Sequence, residues 1–279
     1  MKAKNTTAGN ASLADVVEHY GKMLETLERK AKRKSKAKRK PKRKPKPNSY
    51  ILHQGIVNGQ KFVVIASGFE RSSDNRKTGD MIQIWFLLED ANPVAVVKSG
   101  LDAATICQGC PFASGNGCYV NVGQAPLAIW KAFKRGLPVM HPKDYTKHFS
   151  GRKVRFGAYG NPTLLPIAKV KAIAKASDGW TGYFHNWKTM PTAQRNAYNQ
   201  FFMASTETKD SFELAKSLQL RVFHVSPVQP ENTVECLSDS RGLTCAQCQL
   251  CQGWNKPAKS VWINPHGATV KKATAAAMA

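Results

Sequence analysis

Acid is what this sequence has least of. Eighteen Asp and Glu stand against forty-two Lys and Arg in 279 residues, a formal net charge of +24. So little counter-charge favours acidic polymers as partners, of which nucleic acid is the commonest. Thirteen of the basic residues fall in one acid-free run, Arg29 to Lys46, and the remainder still carries about +11. Long apolar runs are missing too, so nothing approaches the ~20 residues of a membrane helix. The opening residues, MKAKNTTAGNASLADVV, lack the apolar centre of a secretory signal. These absences set the expectation of a cytoplasmic protein with no membrane partner. In a reducing compartment, short cysteine clusters point to metal ligation rather than disulfides. The hydrophobic fraction, 42%, is ordinary for a chain that buries a core.

What is present divides the chain. Residues 1–48 read as an appendage: an amphipathic helix on Leu13, Val16, Val17, Tyr20, Met23, Leu24 and Leu27, then a basic arm that proline and like charge keep disordered. Residues 49–100 read as a small antiparallel β subdomain. There Asn58-Gly59 marks a hairpin between alternating runs, and MIQIWFLL and PVAVVKSG supply two more strands. Residues 101–265 alternate strand-like and helix-like segments, which predicts parallel strands with right-handed crossovers. The expected fold class is α/β, a partial (β/α) barrel or an open parallel sheet. Residues 266–279 read as a flexible tail.

All seven cysteines fall in two groups. CLSDSRGLTCAQCQLC holds Cys236, Cys245, Cys248 and Cys251. Four thiolates fill a tetrahedral zinc shell, and the Cys-x-x-Cys-x-x-Cys core also suits a 4Fe–4S cluster. Zinc and iron stay open on spacing. CQGCPFASGNGC holds only Cys107, Cys110 and Cys118. A three-thiolate site leaves one metal position for water, substrate or cofactor, unless His141 or His148 completes it.

Functional groups in such folds sit where strands end. GAYGNP offers Gly157, Tyr159, Gly160 and Asn161; GYFHNW places His185 between aromatics; ASTET offers Ser205 and Glu207. Glu207 has a competing reading as a helix cap. Tyr159, Tyr183, Phe184 and Trp187 are candidates to stack a flipped or single-stranded base, with core packing as the bland alternative.

CPFASGNGCY, RFGAYGNP, TGYFHNW, MASTETKDSFELAKSLQLRVFHVS and CLSDSRGLTCAQCQLCQG together resemble a phage and prophage family of the gene-product-eighty-eight type. The resemblance covers residues 100–255 and implies a location in host cytoplasm. Their order is similar to radical S-adenosylmethionine enzymes, which implies a 4Fe–4S cluster and S-adenosylmethionine at the first cysteine group. Cys107-x2-Cys110-x7-Cys118 departs from the usual Cys-x3-Cys-x2-Cys spacing. More remotely the chain resembles phage enzymes that exchange guanine for deazaguanine in DNA, which use paired carboxylates and C-terminal cysteine-held zinc. Asn161 stands where an Asp would serve that chemistry, leaving Asp102 and Glu207 as carboxylates.

The expectation is therefore a metalloenzyme modifying a nucleobase in DNA, or RNA, by base exchange or radical chemistry. Glu207, His185, Asp102 and Asn161 are its candidate catalytic residues, and Gly157, Tyr159, Gly160 and Ser205 its candidate cofactor-binding residues. The competing expectation is a non-catalytic DNA-binding module with two structural zinc sites.

Overall fold

The computed structural model describes residues 13–36, 46–72, 75–267 and 269–278. Two units are distinguished, 1–45 and 46–279. The first contributes a helix, Leu13–Lys36, about 36 Å long at 1.5 Å per residue. It extends the predicted helix well into the basic run, with a Glu18–Lys22 ion pair one turn apart. Val17, Tyr20, Leu24 and Leu27 are exposed along it. The arm's residues 37–45 lie outside the described residues.

The second unit is mixed α/β, built on two five-stranded sheets. The first is β1 (Ser49–Val57), β2 (Gln60–Ser67), β3 (Met81–Leu88), β4 (Lys153–Tyr159) and β5 (Gly179–Thr181), side by side in that order. The β1–β2 and β2–β3 pairs are antiparallel, the next two parallel. Asn58 and Gly59 take the left-handed conformations that their hairpin turn requires (φ 47° and 76°). The second sheet is β6 (Tyr183–Phe184), β7 (Met203–Thr206), β8 (Val222–Val225), β9 (Thr233–Glu235) and β10 (Ser260–Ile263). Its order is β6-β7-β8-β10-β9, with every pair parallel. Only Gly182 separates β5 from β6.

Continuous apolar runs explain the central strands. All eight residues of β3 are buried, as are all four of β7, β8 and β10, the pattern of strands covered on both faces. Each fully buried Phe, Ile or Leu here contributes roughly 1.5–3 kcal/mol. The helix Lys209–Ser217 starts where Thr208 and Ser211 exchange side-chain and backbone hydrogen bonds, a capping box.

Four expectations are corrected. PVAVVKSG is a helix, Pro93–Lys98, rather than a strand: Asn92 caps Ala95 N at 3.0 Å, and Pro93 takes the first turn, where its missing N–H costs nothing. The antiparallel strands are not a subdomain apart, because β3 pairs directly with β4. The segment expected to be a flexible tail contains a helix, Val270–Met278, with Ala273 and Ala277 buried. The predicted single strand TGYFHNW is two short strands followed by a 3-10 turn, Asn186–Lys188.

Candidate metal centres and strand-end site

The three-cysteine loop closes on Asp102. The Asp102 carboxylate accepts hydrogen bonds from Ser114 N (2.9 Å) and Ser114 Oγ (2.8 Å). Its peptide oxygen accepts from Cys107 N at 2.8 Å. With its side chain engaged and the residue 1% exposed, Asp102 shapes the loop and does not face a substrate. The C-terminal helix covers the other side: Thr269 Oγ1 donates to Gly117 O at 3.1 Å. A Cβ on Gly117 would stand 2.7 Å from the Ala273 backbone, so glycine permits the approach.

Hydrogen bonds tie this loop to the carboxyl ends of parallel strands. Asn161, just past β4, donates its N–H to Ile106 O at 2.7 Å. Its Nδ2 donates to Gln108 Oε1 (2.8 Å) and to Asn186 Oδ1 (2.9 Å). Thr163 Oγ1 donates to the same two acceptors, at 2.9 and 3.1 Å. Gly160 makes the fit possible, since a Cβ there would lie 2.6 Å from Phe86 Cβ.

The turn after β6 reaches the other strand ends. Trp187 Nε1 donates to Ser205 O at 2.7 Å, and Lys188 Nζ lies 3.7 Å from the Glu207 carboxylate. The three-cysteine loop, Asn161, the His185–Lys188 turn and Glu207 are thereby linked through neighbouring contacts. Glu207 is not the helix cap, because Thr208 performs that role. Its carboxyl pKa is raised by burial, against the pull of Lys188, and its charge acts on Cys110.

Burial pushes the Cys110 thiol up to about 12, reinforced by Cys118, while the backbone amides of Phe112 and Ala113 donate toward its sulfur. Amides aimed at a buried sulfur stabilise a thiolate once a metal replaces its proton. Tyr159 Oη, Asn161 Oδ1 and His185 Nδ1 are buried without a hydrogen-bond partner. Such atoms are costly unless an ordered water or a ligand satisfies them. Burial lowers the His185 pKa to about 4, so its imidazole is neutral near pH 7.

Other expected residues sit differently. His148 packs its ring against Tyr50 and Phe69, in the helix that leads into the amino end of β4, and is no ligand for this loop. His141 stands just ahead of that helix, at the start of the turn Pro142–Asp144. Gly157 lies inside β4, and Ser205 is buried in β7. The aromatics are not open stacking platforms. Tyr159, Phe184 and Trp187 are buried, and Tyr183 stacks on Phe223 with 4.2 Å between ring centroids.

Cys236, Cys245, Cys248 and Cys251 all line one small, narrow cavity, walled also by Thr181, Tyr183, Leu237, Leu250 and Val261. The Thr244–Gln247 capping box starts the turn Cys245–Cys248. Cys245 N and Ala246 N donate to Lys77 O (2.7 Å) and Thr78 O (3.0 Å). Buried Arg221 holds the segment beyond, donating to the carbonyls of Gly253, Lys256 and Lys259. Burial, aided by Cys245, pushes the Cys251 thiol far up. Amides of Ser238 and Asp239 donate toward Cys236. Thr181 Oγ1, in the cavity wall, is buried without a partner. Four thiols, backbone amide donors and an unpartnered hydroxyl are thus gathered around one small cavity. Both cysteine groups border the same apolar cluster, formed around Phe112, Met203, Phe223 and Val261.

The sequence reading missed Gln108, Thr163, Asn186 and Lys188, whose side chains join the strand-end site. It also missed buried His224, whose Nδ1 lies 2.8 Å from Thr206 Oγ1 and whose pKa burial lowers to about 4. Among the described residues, no three His, Cys, Asp or Glu side chains stand in an ion's coordination geometry. No helix there is long and apolar enough to cross a membrane. No family model, curated protein or solved structure matches the chain.

Proposed function

We propose that this chain is an iron–sulfur enzyme that modifies a nucleobase of DNA by radical S-adenosylmethionine-type chemistry. The observation that carries the reading is the meeting of the three-cysteine loop with Asn161, the His185–Lys188 turn and Glu207 at the carboxyl ends of parallel strands. Cys107, Cys110 and Cys118 would hold a 4Fe–4S cluster whose fourth iron is left for S-adenosylmethionine. When bound, that pair supplies a strongly oxidising carbon radical. Tyr159, Asn161 and His185 offer unsatisfied polar atoms near it, and Glu207 offers a carboxylate partly neutralised by Lys188.

Base exchange is the weaker of the two enzymatic readings. It needs two carboxylates, and Asp102 is engaged by Ser114, leaving Glu207 alone at the edge. Iron at the second group follows from the same reading, because its Cys-x-x-Cys-x-x-Cys core suits a 4Fe–4S cluster and its four thiols line one cavity. A partial barrel belongs to this reading, since only Gly182 separates the strands of the two sheets. DNA rather than a small molecule is the substrate because the charge is +24 with thirteen cations in one run.

The test is anaerobic incubation of reconstituted protein with dithionite, S-adenosylmethionine and DNA. Release of 5′-deoxyadenosine, lost in Cys110→Ala and with base modification lost in Glu207→Gln, is the expected outcome. A protein that binds DNA but never consumes S-adenosylmethionine overturns it and favours the binding-module reading.

A further inference from the structure

The four-cysteine cavity carries more than its thiols. Tyr183, the first residue of β6, directs its hydroxyl at Cys251 Sγ, 3.7 Å away. Arg155, from β4, places its guanidinium carbon 5.1 Å over the same Tyr183 ring. β4 and β5 pair Arg155 with Thr181, whose unpartnered hydroxyl is in the cavity wall. One guanidinium and two hydroxyls are thus grouped beside the cysteines. No carboxylate is paired with Arg155 among the described residues: the five ion pairs found there involve other cations.

An arginine drawn in beside tyrosine and cysteine, with no carboxylate, is costly unless the group it faces is anionic. A cluster held by four thiolates is anionic, and becomes more so on reduction. A fixed cation and a hydrogen bond to a ligand sulfur both stabilise the added negative charge. In the metal-free pocket the same two groups already favour negative charge on sulfur, Arg155 at Cys245 and Tyr183 at Cys251.

We propose that Arg155 and Tyr183 raise the reduction potential of the cluster at Cys236, Cys245, Cys248 and Cys251, making it the readily reduced centre of the pair. The proposal rests on the iron–sulfur reading above and assigns the two residues as positioning residues, not ligands. The half-reaction is one electron added to the oxidised cluster, with no bond made or broken in the protein. Tyr183 keeps its proton and Arg155 keeps its charge.

The test is redox titration, followed by electron paramagnetic resonance, of the whole chain carrying Cys110→Ala to silence the first centre. Arg155→Gln, Tyr183→Phe and Arg155→Lys are compared with this parent at equal iron content. The expected result is a more negative midpoint in Arg155→Gln, by at least a tenfold change in the reduction equilibrium, about 59 mV for one electron. Tyr183→Phe shifts the same way by less, and Arg155→Lys recovers most of the parent value. Where Arg155→Gln fails to hold iron, Tyr183→Phe decides, because it keeps the ring and removes only the hydroxyl. Unchanged midpoints at full iron overturn the proposal and leave the iron–sulfur reading standing. A parent chain that binds no iron at these cysteines overturns both.

Discussion

Gln108 Oε1 accepts the Asn161 Nδ2 hydrogen at 2.8 Å, and that bond fastens the three-cysteine loop to the end of β4. Gln108 sits between Cys107 and Cys110 in a left-handed conformation (φ 47°). Gln108→Ala removes the acceptor shared by Asn161 and Thr163. A stability loss of about 1–2 kcal/mol is expected, read from the urea midpoint. Iron at the first centre should fall while iron at the second is kept. Unchanged stability and iron would mean that the loop is held in place without this bond.

The C-terminal helix should report on the same loop. Gly117 has φ +119°, and its missing Cβ makes room for the Ala273 backbone. Gly117→Ala therefore combines backbone strain of about 1–3 kcal/mol with a collision. Hydrogen exchange across residues 270–278 should accelerate strongly in this variant. Exchange as slow as in the parent would place the helix's anchorage elsewhere.

Acid should destabilise the fold through two histidines. Burial lowers both His185 and His224 to about 4 from 6.5. Between those values the unfolded chain binds protons that the folded chain refuses, so stability falls as pH falls. The loss is about 1.4 kcal/mol per pH unit per histidine inside that window, and none is expected from them above it. Chemical denaturation of the metal-free chain from pH 7.5 to 4.5 measures this, and His224→Gln should flatten part of the slope. A midpoint that is flat from pH 6.5 to 4.5 would contradict the buried, neutral assignment.

The basic run makes a prediction about salt. Deleting residues 29–46 should weaken DNA binding and flatten the dependence of log affinity on log salt. The slope should drop by ~0.9 for every phosphate that the run neutralises in the intact chain. Equal affinity at every salt concentration would remove the run from DNA binding.

Much of this architecture was legible because strong local signals agreed with the tertiary outcome. Asn58-Gly59, the apolar run of β3 and the Thr208–Ser211 cap each determine their own element. The strand ends at Asn161, His185 and Glu207 could be read from alternation alone. PVAVVKSG misled because its β-branched residues favour strand, whereas Asn92 and Pro93 start a helix. Asp102 looked available because its partner, Ser114, is twelve residues away and carries no motif. Gln108, Asn186 and Lys188 left no signal, since a carboxamide or lysine in a loop is ordinary until the fold supplies its partner. Arg155 was hidden for the same reason: an arginine in a strand carries no motif, and only the fold sets it beside Tyr183 and the cysteines.

Counting metal in anaerobically purified protein decides whether the seven cysteines hold the iron–sulfur clusters proposed for them. Two four-iron clusters predict a brown protein with about eight iron and a similar amount of acid-labile sulfide per chain. Cys248→Ser should lower the cluster count at the second centre and leave the first loaded. A colourless protein holding zinc and no sulfide would contradict the account.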